Sequence, residues 1–155
     1  MDRIPITRIG YDALKKELEY LKSVERPKNI EAIEEARGHG DLTENAEFEA
    51  AKERHAFIEH RIHELGYKLS HADIIYPSAL ASDKAVFGST VLLENADTGE
   101  NIEYQLVGPD ESNVNEGRIS IYSPLGKAVI GKKPGSEITV ETPGGKRFFE
   151  LIAIR

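Results

Sequence analysis

At 155 residues, with 39% hydrophobic content and a net charge of −7, the chain has the make-up of one folded domain or two small ones, not of a disordered tail. No apolar run is long enough to span a bilayer, and Met1-Asp2-Arg3-Ile4-Pro5 lacks an apolar signal core; the lack of Cys excludes a disulfide frame and thiolate chemistry and fits a cytoplasmic location. The acidic balance argues against general affinity for nucleic acid, so the expectation is no membrane partner and little direct DNA binding by the free protein.

In chain order, Ile4 to Thr7 is short and mixed, and Thr7 can cap a helix that starts near Arg8 to Tyr11. Tyr11, Leu14, Leu18 and Leu21 then recur at spacings of three and four, which is one apolar helical face. The next apolar pair, Ile30 and Ile33, is displaced from that repeat. Pro27 lies in the gap, where its missing N–H and its ring predict a restarted helix or a kink, with helix continuing to about Arg37.

Gly38 and Gly40 end this helix, and Arg37-Gly38-His39-Gly40-Asp41-Leu42-Thr43-Glu44-Asn45 forms the turn into the next one. There Phe48, Ala51, His55, Ile58, Ile62, Leu65, Leu69 and Ala72 step by three and four, a coiled-coil seam. A short connector forces the two helices to lie antiparallel, and about 29 residues from Glu44 to Ala72 make an arm of roughly 43 Å at 1.5 Å per residue. His55 falls in the seam, where a half-buried, hydrogen-bonded imidazole is expected. His60 and His63, one turn apart, have no evident third metal ligand. Gly66 weakens the helix locally and allows a bend or close packing.

The helical period ends near Asp73, and Tyr76-Pro77-Ser78 through Ser82-Asp83 has the composition of a linker, dividing the chain at 1–77 and 78–155. Strands are expected over Val86 to Leu93 and Ile102 to Val107, joined at Asp97-Thr98-Gly99, and over Arg118 to Tyr122. A short helix follows Ser123 as cap, with Pro124 first and Gly131 after its end. Glu137 to Thr142 and Arg147 to Ile154 make a hairpin around Pro143-Gly144-Gly145. The fold class is therefore α+β, an antiparallel helical hairpin followed by a small antiparallel β domain with one short helix. Nothing resembles a Walker A run, a dinucleotide fingerprint or a hydrolase nucleophile motif.

Asp41 and Glu44 carry the chemistry most open to a functional reading. Opening a helix three residues apart, they can present carboxylate oxygens to a hard cation such as Mg2+. The same spacing is a capping box, which satisfies orphan N–H groups without any function. Between Glu31 and Glu49 seven acids (Glu31, Glu34, Glu35, Asp41, Glu44, Glu47, Glu49) face one base, Arg37, and a solvated charged face is the ordinary reason for such a run.

Ile4-Pro5-Ile6-Thr7, Glu25-Arg26-Pro27, Glu35 through Phe48, Ser123-Pro124-Leu125-Gly126-Lys127-Ala128 and Thr142-Pro143-Gly144-Gly145 together resemble the bacterial GreA/GreB family of transcript cleavage factors, over essentially the whole chain. Within it, the thin basic signal near the turn fits the GreA branch better than GreB. The resemblance implies an N-terminal coiled coil and a C-terminal FKBP-like domain that docks on bacterial RNA polymerase at its secondary channel. The chain itself would be no enzyme. Its acidic tip would stimulate the polymerase's own cleavage of backtracked RNA. Asp41 and Glu44 would act as the essential acids and help hold a Mg2+ shared with the polymerase, with no ion bound tightly by the chain alone. Arg37, Asn45 and Lys52 would lie near the nascent RNA 3′ end. Two other readings stand beside this one: a non-cleaving regulator of the same channel, and an FKBP-like peptidyl-prolyl isomerase or chaperone. The last requires an aromatic-lined apolar pocket, for which Phe87, Tyr104, Tyr122, Phe148 and Phe149 are available.

Overall fold

A computed structural model describes residues 3–38, 46–76 and 83–155. The chain forms two compact units, Tyr11–His71 on one side and Met1–Gly10 with Ala72–Arg155 on the other. Strand β1 (Ile4–Ile6) precedes helix α1 (Arg8–Tyr20), a π-helical segment covers Leu21–Glu25, and α2 (Arg26–Arg37) continues from it. Helix α3 is Ala46–Ser70.

The π segment explains the displaced apolar pair. Pro27 has no N–H to give to a carbonyl four residues back, and the Arg26 N–H reaches instead to the carbonyl of Leu21. One extra residue is absorbed, so the inward face runs from Leu14, Leu18 and Leu21 through Asn29, Ile33 and Ala36. Asn29 and Ala36 are buried there, whereas Ile30, one of the displaced apolar pair, is 42% exposed. Pro27 thus stands where the α-helix restarts after the π segment. On α3 the expected seam holds: Ala51, Ile58 and Leu65 are buried, and Phe48, His55, Ile62 and Leu69 are half-buried. Its last expected member, Ala72, instead opens strand β2 (Ala72–Ile74), because α3 ends at Ser70 and the His71 ring nitrogen Nδ1 donates to the Tyr67 carbonyl at 2.8 Å.

In the globular unit β1 pairs in parallel with β2, matching Ile4 to Ala72 and Ile6 to Ile74. The main sheet comprises β3 (Thr90–Asn95), β4 (Asn101–Val107), β5 (Arg118–Ser120), β6 (Glu137–Thr142) and β7 (Gly145–Ile154), in the order β5-β4-β3-β7-β6. Four strands are antiparallel as expected. β5 joins β4 in parallel because the chain between them turns through two short 3-10 segments, Pro109–Glu111 and Val114–Glu116. Residues 86 to 89, expected as strand, form a turn in which Val86 N–H donates to the Ser89 hydroxyl at 3.0 Å and Gly88 takes φ +89°.

Helix α4 (Pro124–Val129) is capped by Ser123, whose hydroxyl accepts from the Gly126 N–H at 3.1 Å. The core is formed by Val91, Leu93, Leu106, Val129, Ile138, Phe149 and Leu151, all buried and drawn from alternating strand positions and α4. Among the described residues no helix is long and apolar enough to cross a membrane.

Candidate functional site at the end of the hairpin

The two helix ends that flank residues 39–45 are set by the packing behind them. Helices α2 and α3 run antiparallel, since partners that ascend along the first half descend along α3: Glu17 meets Arg61, Glu25 meets Arg54, and Asn29 meets Ala51. Two of the links are two-pronged. Arg26 reaches Glu59 at 2.8 and 2.9 Å, and Arg61 reaches Glu17 at 2.7 and 2.9 Å while also binding Glu64. The Arg26 hydrogen bond holds the Glu59 carboxyl below its ordinary value, and the Arg61 hydrogen bond does the same for Glu64. Arg61 is in turn raised, chiefly by its hydrogen bond to Glu17. These pairs are partly exposed, so each adds modestly to stability and more to register.

Helix α2 stops at Arg37, with the Gly38 N–H bonded to the carbonyls of Glu34 and Glu35, both at 3.1 Å. Helix α3 resumes at Ala46 with Glu47 and Glu49 in its first turn, where the helix dipole favours negative charge. Asp41, Glu44 and Asn45 lie between these two ends, within 39–45, and so outside the described residues. The expected cap and cation roles of Asp41 and Glu44 fall there too. Of the expected RNA-contacting residues, Arg37 is exposed in the last turn of α2. Lys52 is on α3, its Nζ 5.2 Å from the centre of the Phe48 ring and 3.9 Å from Glu49. That cation therefore already has an aromatic face and a carboxylate beside it.

The other candidates do not assemble. The His55 Nδ1 is buried without a hydrogen-bond partner among the described residues, unlike the hydrogen-bonded imidazole expected in the seam. No group of three or more potential metal ligands gathers His60 and His63 among the described residues. The five aromatics differ in setting: Phe87 and Phe149 are buried, while Tyr122 and Phe148 are 54% and 44% exposed. A cavity of about 260 Å³ on the sheet is lined instead by Thr90, Glu103, Gln105, Glu116, Gly117 and Arg118, polar or charged apart from one glycine. That lining suits no apolar prolyl substrate.

Residues 4–74 match the family described as Transcription elongation factor, N-terminal, and residues 80–155 match Transcription elongation factor, GreA/GreB, C-term. The chain belongs to the GreA/GreB family. The transcription elongation factor GreA of Syntrophobacter fumaroxidans is 54% identical over 155 residues, covering 100% of this chain and 99% of that protein. GreA of Neisseria meningitidis serogroup A is 53% identical over 156 residues, with 100% and 99% covered. Among solved structures, GreA factor homolog 1 of Thermus thermophilus is 34% identical, covers 99% of both chains and has a TM-score of 0.46. In this GreA/GreB family member Arg37 and Lys52 lie on α2 and α3, the helices on either side of residues 39–45 in the sequence.

Proposed function

We propose that the chain binds bacterial RNA polymerase in its secondary channel and stimulates cleavage of backtracked nascent RNA by the polymerase, with Asp41 and Glu44 as the essential acids. The observation that carries this reading is the 54% identity to a GreA over the full length, together with Asp41 and Glu44 falling in the connector of the hairpin. Family membership alone supports a role in transcription elongation; the acids supply the chemistry. Their donor set fits Mg2+, which is bound through one or two carboxylates with phosphate and water making up the rest, so a shared site needs no third ligand from this chain. Bound there, the ion would stabilise the oxygens of phosphodiester hydrolysis. Asp41 is the ligand in this scheme, and Glu44 shares the ligand role or takes the proton from the attacking water. Arg37, Asn45 and Lys52 would meet the RNA 3′ end.

The test separates charge from capping. Asn caps as well as Asp, and Gln can replace Glu in a capping box, so Asp41→Asn with Glu44→Gln removes the charges and keeps the helix. In a cleavage assay on stalled bacterial elongation complexes, the double variant is expected to lose a factor on the order of 10² in rate, equivalent to ~3 kcal/mol of transition-state stabilisation. Full activity in that variant sinks the reading; polymerase binding by the wild type without RNA products identifies a non-cleaving channel regulator instead.

A further inference from the structure

The first turn of α1 belongs to the globular unit, and a carboxylate 104 residues further along the chain holds it there. Glu111 Oε2 accepts from the Thr7 N–H at 2.7 Å and from the Gly108 N–H at 3.2 Å, and Oε1 accepts from the Thr7 hydroxyl. The Thr7 oxygen, having donated its proton to Glu111, accepts from the Gly10 N–H at 3.1 Å. Negative charge is thereby relayed to the N-terminus of α1, where it is favourable.

The cluster has no slack. A Cβ on Gly10 would stand 2.3 Å from Glu111 Oε1, and one on Gly108 would stand 1.9 Å from the Pro5 carbonyl oxygen. Arg118 Nε donates to the Glu111 carbonyl at 2.9 Å and so braces the segment that carries the carboxylate. Thr7 alone would cap the helix. Glu111 adds something a cap does not need, a tie between the helix start and the sheet-bearing part of the chain.

We propose that Glu111 is a positioning residue for transcript cleavage: it clamps the first turn of α1 to the globular unit, so that a docked globular unit holds the root of the arm that carries Asp41 and Glu44. This rests on the cleavage reading above. Removing the carboxylate takes the acceptor from the Thr7 N–H, the Thr7 hydroxyl and the Gly108 N–H while leaving the core around Val91 and Leu151 untouched.

The test uses the full chain with Glu111→Ala and Glu111→Gln. For each, the cleavage rate at saturating factor and the concentration for half-maximal cleavage are measured separately, alongside amide hydrogen exchange of the free protein. The expected result for Glu111→Ala is a saturating rate lower by about tenfold, a half-maximal concentration within about twofold of wild type, and exchange at Thr7 and Gly108 faster by more than about tenfold with Val91 unchanged. Glu111→Gln, whose amide oxygen still accepts from the Thr7 N–H, falls between. A wild-type saturating rate in Glu111→Ala overturns the proposal, as does a change confined to the half-maximal concentration or an equal loss of protection at Val91. A wild-type chain that stimulates no cleavage overturns the functional reading and this proposal together, whereas a cleaving wild type with an unimpaired Glu111→Ala overturns the clamp alone.

Discussion

Asn29, buried on α2, donates its Nδ2 to the carbonyl of Ala51 on α3 at 3.1 Å. A buried amide in a helix seam fixes which residue faces which, at some cost against an apolar side chain. Asn29→Ala is expected to destabilise the hairpin by about 1 kcal/mol, read as a lower denaturant midpoint. Asn29→Leu should regain much of that loss. An Asn29→Ala midpoint at or above wild type would show that the bond contributes nothing.

The π segment is held by packing as well as by Pro27. If Pro27→Ala let the helix become regular, Lys28 and Glu35 would rotate toward the seam in place of Asn29 and Ala36. Burying two charges is costly, so the segment should persist. The expectation is an unchanged Asn29 to Ala51 hydrogen bond, seen as a protected Asn29 side-chain amide by NMR. Loss of that protection would assign the register to Pro27 alone.

Glu59 and Glu64 give the hairpin an acid-sensitive stability. Both carboxyls are held below their ordinary value of about 4.5 by arginine hydrogen bonds. Groups depressed in the folded state stabilise it fully above the unfolded value, and that contribution disappears as pH falls through the folded one. The melting temperature should therefore drop as pH is lowered below about 4.5, and Glu59→Gln with Glu64→Gln should flatten that slope while lowering stability at neutral pH. A double variant with an unchanged slope would remove these pairs from the account.

Two glycines should respond in opposite directions to alanine. Gly66, inside α3, has open space around it, so Gly66→Ala is expected to stabilise by about 0.5–1 kcal/mol through helix propensity. Gly108 has the Pro5 carbonyl in the way, and that oxygen belongs to paired backbone, so Gly108→Ala should cost roughly 1–3 kcal/mol. Melting curves on both variants check the pair, and a neutral Gly108→Ala would mean that β1 yields easily.

What could be read from residue types was whatever repeats or punctuates. The three-and-four spacing of α3, the Ser123-Pro124 start of α4 and the Pro143-Gly144-Gly145 turn are local signals, and the structure follows them. Features that depend on distant partners were illegible: strands of three residues such as β1 and β2 have too few positions to show alternation, and Glu111 looks like any surface acid until Thr7 is placed beside it. The π segment belongs to the same class: the displacement of Ile30 and Ile33 showed that the face shifts, but a one-residue insertion leaves no mark in composition that says which residues face inward. For the site, the sequence named the acids, and the structure adds the two helix ends that flank them.

The β1–β2 pairing makes the hairpin a cassette. Ile4 and Ala72 are neighbours across parallel strands, about one strand spacing, ~4.8 Å, apart, so everything between β1 and β2 is an insertion between two paired strands of the globular unit. A fragment that begins after β2 would lack both strands and the Thr7 partner of Glu111, and would be an incomplete domain. Conversely, a short linker joining β1 to β2 should close the globular unit without its arm, and on the proposed reading such a chain would compete with the full-length protein for polymerase without stimulating cleavage.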